Sequence, residues 1–256
     1  KFEYDCNKPF WVKFGHSTNP VLSFKEEVLK TVKCIIDKVD KPIWVCYSGG
    51  IDSEVIVRSF MELNHPIHIL IIEYSEDMNK HDIVNAINFC EENNLKYKKI
   101  TMDMKQFLVD LRNSEHPYRK YNNSATYRYM QIKMIEEISK RGGYPIIGSG
   151  EQKYETDSKN NLIIKLGTNI FTPARYCIDN KINACPYFFW YRPELIHSFC
   201  IEPEVQMMYS ENIKINSRAH NVKEMVYHKY WPNMKKRTKY HGYEMVFNEK
   251  TYTERI

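Results

Sequence analysis

The sequence predicts an α/β fold: a parallel sheet with helices on both faces, followed by a smaller, mostly helical carboxy-terminal region. Three observations predict it. Helical and strand patterns alternate between residues 23 and 150, as they do in a sheet flanked by helices. The run Ile67–Tyr74 is apolar almost throughout, like a strand covered on both sides. A short strand also passes through a double glycine directly into a helix.

Residues 1–22 have no clear period and read as an arm with aromatic anchors Phe2, Tyr4, Phe10, Trp11 and Phe14. Ser23 and Glu26 then form a capping box. Behind it Phe24, Val28, Leu29, Val32, Ile35, Ile36 and Val39 recur at helical spacing. That helix should end near Asp40, because Pro42 disfavours helical backbone in its predecessor. Ile43–Tyr47 is a short β-rich run. A helical pattern from about Asp52 to Leu63 turns Val55, Ile56, Phe60 and Leu63 inward, and His65-Pro66 breaks it.

After the apolar strand, Ile83, Ile87 and Cys90 mark a helix, Tyr97–Met102 a strand, and Phe107, Leu108 and Leu111 another helix. Ser124–Lys140 is helical through Tyr127, Met130, Met134, Ile135 and Ile138, and Arg141-Gly142-Gly143 ends it. Tyr144–Ile147 is a strand running into Gly148-Ser149-Gly150-Glu151. The pattern then loosens. Asn160-Asn161 reads as the turn of a hairpin ahead of Leu162–Leu166. Pro186–Trp190 is aromatic-rich, and Pro193 suits the first position of a short helix. Residues 203–230 read as mostly helical, and a basic, aromatic tail with Lys235, Lys236, Arg237, Lys239 and Tyr240 follows. The expected division is an arm over 1–22, a main domain over 23–200 and a helical, basic region over 201–256.

Composition excludes several classes. The excess of 37 Lys+Arg over 32 Asp+Glu gives +5, which suits an anionic ligand without marking a nucleic-acid protein. The seven cysteines are odd in number, widely spaced and without a Cys-x-x-Cys pair, so neither a disulfide framework nor a zinc ribbon is expected. No apolar run approaches the ~20 residues of a membrane span. Nothing at the start resembles a secretory signal, and Lys1 in place of Met reads as a missing start or a trimmed chain. A reduced, cytoplasmic protein is expected. His220 and His228 form no metal pattern.

The stretch that carries chemistry is Ser48-Gly49-Gly50-Ile51-Asp52-Ser53. A buried strand ends, two glycines permit a tight turn, and a helix starts at once. Its first N–H groups and dipole make an anion cradle at the carboxyl end of a strand, where open α/β sheets bind ligands. Ser48 and Ser53 add hydroxyls. Bare phosphate would repel Asp52, and a divalent cation between them resolves the conflict. There is no Gly-x-x-x-x-Gly-Lys-Ser/Thr, and Lys153 stands where Gly148-x-Gly150 would need a third glycine, so the other common phosphate loops do not fit.

These six residues, in this strand–turn–helix setting, resemble the PP-loop superfamily of ATP pyrophosphatases, whose fingerprint is Ser-Gly-Gly-x-Asp-Ser. The resemblance covers about residues 23–200, and the motif is its specific part. It implies a Rossmann-like, adenine nucleotide alpha hydrolase-like fold. It further implies ATP and Mg2+, with an acceptor oxygen attacking the α-phosphorus to give an adenylate and pyrophosphate, and a nitrogen nucleophile then releasing AMP. Tyr47, Ser48, Gly49, Gly50, Ile51, Asp52, Ser53, Tyr74 and Gly148 would hold the nucleotide. Ser48, Asp52 and Ser53 would act on the phosphates, and Asp52 and Glu151 would hold the metal. The acceptor is a small molecule or tRNA, with no membrane involved and homo-oligomerisation left open.

Beside each assignment stands a plainer one. Tyr74 either stacks on adenine or is a core aromatic at a strand end. Arg128, Lys153, Arg175 and Arg192 either meet phosphate or are ordinary charges. Cys177 and Cys185 would serve a sulfur-transferring or sulfate-reducing member of the same superfamily, with the basic tail on RNA; otherwise they are small hydrophobes. A non-catalytic nucleotide-binding module is the alternative from another class.

Overall fold

The computed structural model describes residues 19–113, 115–121, 126–149, 153–156, 162–165, 172–210 and 215–235. Helix α1 (Phe24–Ile36) opens with the expected capping box, Ser23 and Glu26 each bonding the other's backbone N–H. It stops short of Asp40, and the chain runs on through Pro42 into strand β1 (Ile43–Cys46). Helix α2 (Ile51–Glu62), strand β2 (His68–Tyr74), helix α3 (Lys80–Glu92) and strand β3 (Tyr97–Met102) follow. Next come α4 (Met104–Arg112), α5 (Thr126–Ser139) and strand β4 (Tyr144–Ile147).

These four strands make one parallel sheet in the order β3-β2-β1-β4. Successive side chains of a strand point to opposite faces, and two separate cores result. On one face Ile43, Val45, Ile69, Ile71, Tyr144 and Ile146 pack with Phe24, Val28, Val55 and Phe60 of α1 and α2. On the other, Cys46, Leu70, Ile72 and Ile147 pack with Leu108 of α4 and with Met130 and Ile135 of α5. Helices therefore cover both faces. Each fully buried branched aliphatic side chain contributes about 1.5–3 kcal/mol.

Past β4 a two-stranded antiparallel hairpin, β5 (Lys153–Thr156) with β6 (Leu162–Lys165), matches the pairing expected around Asn160-Asn161, which itself lies outside the described residues. Helix α6 (Thr172–Asp179) lays Tyr176 and Cys177 on the second core. Cys185 then bridges to Ile146 in parallel, its N–H on the Pro145 carbonyl at 2.8 Å, and covers the outer edge of β4. Helix α7 (Pro193–Cys200) starts on Pro193 at its first position. Helices α8 (Pro203–Ser210) and α9 (Ile215–Tyr230) follow, and Val205, Val222, Val226, Tyr227 and Trp231 join the first core. No helix among the described residues is long and apolar enough to cross a membrane.

Candidate functional site

The chain leaves β1 toward β2 and β3, then returns to place β4 on the other side of β1. Strand order thus reverses at β1, and the crevice beyond the carboxyl ends of β1 and β4 is where such sheets bind ligands. The Ser48–Ser53 stretch sits there as the β1–α2 connection. Gly49 adopts φ +88°, and a Cβ on it would overlap the backbone carbonyl oxygen of Asp82 at the start of α3. Both the backbone angle and the close approach require glycine. Gly50 caps α2 with extended backbone, and no side chain caps that helix. The N–H groups of the first turn have no acceptor within the helix.

The serines brace the loop. Gly50 N–H donates to Ser48 Oγ at 3.3 Å, Ser53 Oγ donates to the Gly50 carbonyl at 2.9 Å, and the two hydroxyls are 3.3 Å apart. Ser48 is exposed while Ser53 is buried. From the far side, Gly148 closes on the loop: a Cβ there would stand 3.1 Å from Ser53 N and 3.3 Å from the Asp52 carbonyl carbon. The two strands flanking the crevice thus meet at the start of α2.

Asp52 is engaged. Lys223 Nζ lies 2.8 Å from its Oδ2, and Tyr227 donates its hydroxyl to Oδ1, also at 2.8 Å. Both partners come from α9. The side chains of Lys223 and Asp52 keep only 11% and 18% of their exposure, so this is a sheltered pair rather than a surface contact. Tyr227 is fixed by stacking on Phe24 at 5.6 Å and on Phe189 at 6.1 Å. The end of α9 is tied down too. Tyr230 and Lys229 both donate to buried Glu202, which also accepts the Phe24 N–H, and the Trp231 indole donates to Glu62 at 2.7 Å.

Tyr47 lies beneath the loop. Its ring is 1% exposed, and its hydroxyl donates to buried Glu54, which also accepts from Arg58 Nε at 2.8 Å. Arg58 in turn covers the Phe89 ring. This network forms the floor of the loop, and the sequence reading missed Glu54 and Arg58 as parts of it. Ile51 packs half-buried against the first core. Tyr74 packs in the second cluster at the end of β2, its N–H held by Asn79 Oδ1 at 2.7 Å. Just after it, Glu76 and Asp77 are both left-handed, with φ 58° and 57°.

Glu151 lies outside the described residues, as do Lys236, Arg237 and Lys239, and only the backbone of Lys153 is described. Lys235 pairs with Glu92 at 2.9 Å. Arg192 is not placed for phosphate: it bonds fully buried Glu27 at 2.9 Å and Glu194 at 3.3 Å, joining α1 to α7. Arg128 is buried on α5 and donates to Gln131, which donates to Ser149 Oγ at 2.6 Å, so a buried cation is linked to the residue after Gly148. His228 faces Glu224 on the same helix. Among the described residues no three His, Cys, Asp or Glu side chains gather as a metal site. Burial pushes the Cys177 thiol up to about 12, and burial raises that of Cys185 as well.

No family model matches the chain, and no curated protein matches it. Among solved structures it is similar to an NMN synthetase from Francisella tularensis, at 13% identity over 85% of this chain and 97% of that one, with a TM-score of 0.40. It is also similar to an NH3-dependent NAD synthetase from Campylobacter jejuni in complex with nitrate, at 13% identity over 84% and 97% of the two chains, with a TM-score of 0.38.

Proposed function

We propose that the chain is an ATP pyrophosphatase of the PP-loop kind, an AMP-forming ligase. A carbonyl or carboxylate oxygen of the acceptor attacks the α-phosphorus of ATP. The bond from that phosphorus to the bridging oxygen breaks, and pyrophosphate leaves with the electron pair. A nitrogen nucleophile then displaces AMP from the adenylate. The observation that carries this reading is the uncapped start of α2, reached through left-handed Gly49 at the point where strand order reverses.

Each residue has a task in this reading. The N–H groups from Gly49 to Ser53 and the exposed Ser48 hydroxyl receive the β- and γ-phosphates, where charge grows as pyrophosphate departs. Ser53 and Gly148 keep the loop and β4 in register. Glu54 and Tyr47 hold the floor rigid, so the donors do not reorganise during the reaction. The attacking atom is an oxygen lone pair, so no protein base is needed at the first step.

The loop fits magnesium in its donor chemistry: Asp52 supplies one carboxylate, and magnesium takes one or two together with phosphates and waters. Asp52, with Glu151, would hold it. When bound it supplies neutralisation of the polyphosphate charge. Transfer of sulfur is less well supported: Cys177 and Cys185, the thiols it would use, are buried, as are Cys46, Cys90 and Cys200, and Cys34, half-buried, lies on α1.

The test is product analysis with ATP labelled in the α-phosphate, magnesium, ammonium and a panel of carboxylic acids or tRNA. AMP and pyrophosphate are expected in equal amounts. Exclusive ADP and phosphate would refute the reading, and ATP binding with no product from any acceptor would favour a binding module. Asp52→Asn is expected to lower turnover by about a hundredfold or more, as loss of a group that acts on transition-state charge does.

A further inference from the structure

The carboxylate assigned to magnesium already holds a cation of the protein's own, and that cation stands at the mouth of the phosphate loop. Two groups of α9, one helical turn apart, meet Asp52: Lys223 at Oδ2 and Tyr227 at Oδ1, each at 2.8 Å. They differ in freedom. The Tyr227 ring is buried beside Phe24 and Phe189, within 6° and 18° of parallel to each, and those two rings pack on one another at 6.4 Å, so the phenol is seated in a closed aromatic cluster. Lys223 carries a compact charge on a flexible four-carbon stem with three donors.

Asp52 is the second residue of α2, so its Lys223 partner lies beside the same uncapped helix start that faces an incoming polyphosphate. A polyphosphate arriving there with a divalent cation changes the charge balance. The carboxylate gains a stronger cation, and phosphate oxygens appear within the compass of the lysine. Burial favours keeping that ammonium paired, because a sheltered charge without a partner is costly.

Resting on the pyrophosphatase reading, we propose that Lys223 is a ligand of the polyphosphate held in reserve on Asp52. It neutralises the carboxylate in the free protein and passes to a phosphate oxygen when the metal-bound polyphosphate enters. Tyr227 keeps its bond to Oδ1 and so aims the freed carboxylate oxygen at the metal. Helix α9 is thereby part of the phosphate site, although its chain position lies 171 residues from Asp52.

Calorimetric titration of the full chain with inorganic pyrophosphate and magnesium tests this. Lys223→Gln should bind magnesium pyrophosphate about tenfold or more weakly than the unsubstituted protein, and Lys223→Arg, which keeps the charge, within about threefold. Undiminished binding by a folded Lys223→Gln overturns the proposal and leaves the pyrophosphatase reading standing. No binding of pyrophosphate or ATP by the unsubstituted protein overturns both. Should Lys223→Gln not fold, hydrogen exchange on the unsubstituted protein decides. Magnesium pyrophosphate is expected to change the protection of residues 215–230, and magnesium alone to leave it unaltered. Unchanged exchange with the pyrophosphate overturns the proposal.

Discussion

At Gly49 two constraints coincide, and Gly50 beside it carries neither. A side chain on Gly49 would meet a left-handed backbone and the Asp82 carbonyl together, whereas Gly50 sits at φ −78° with its nearest obstacle, Ser48 Oγ, 3.4 Å from an added Cβ. Gly49→Ala is therefore expected to destabilise the protein by about 2–4 kcal/mol, since strain and overlap add. Gly50→Ala should cost only about 1 kcal/mol, the difference between a good and a poor helix cap. Urea unfolding of the two variants checks the contrast, and equal losses would mean that the loop is not held as described. Both glycines were visible in the sequence, because a tight turn between strand and helix calls for them in consecutive positions. Why the first is indispensable was not visible, because Asp82 is far along the chain. The same separation hid Lys223 and Tyr227: nothing in the spacing of α9 announces a partner 171 and 175 residues away. The basic residues illustrate the converse. Arg192 has the charge to meet a phosphate, but fully buried Glu27 claims it.

Strands β3 and β4 fall on the residues that local patterning indicated, and α2 and α5 differ by a residue or two at their ends. Those elements are periodic, so one buried face is enough to mark them. Helix α6 is short and the Cys185 bridge is a single pair, and neither leaves a period to read. Where two elements meet, the sequence is silent, and Gly148 is the instructive case. The resemblance implied that it holds the nucleotide, and the structure adds that it is the contact between β4 and α2, where a Cβ would sit 3.1–3.3 Å from the backbone of Ser53 and Asp52. Gly148→Ala should push the strand tip off the helix start by a few tenths of an ångström. A cost of about 1 kcal/mol in stability is expected. Affinity for magnesium pyrophosphate should fall by about tenfold or more, because small misplacements of charge donors are felt strongly. Calorimetry and thermal unfolding on one preparation separate the two effects.

The molecule as a whole rests on two cores, one on each face of the sheet, and both hold acidic protons in apolar surroundings. Burial raises the thiols of Cys90 and Cys177 from their ordinary 9.0 to about 12, and it raises the phenols of Tyr144 and Tyr176. The sign follows from linkage. The unfolded chain ionises these groups first, so the stability they allow is complete below about pH 9 and is lost as pH rises toward 12. The urea midpoint should hold steady between about pH 7 and about pH 8.5 and fall steeply above, and a flat profile to about pH 11 would contradict the buried assignment. The same burial predicts that Cys177 resists alkylation until the protein is unfolded. Cores, sheet order and edge cover together serve to hold one loop rigid at one crevice, and the loop is where a direct look is most telling. That look is a crystal structure of the protein with magnesium and α,β-methylene ATP, whose methylene bridge blocks cleavage. The β- and γ-phosphates are expected to sit against the N–H groups of residues 49–53. A nucleotide bound elsewhere, with that turn closed over its own serines, would contradict that placement.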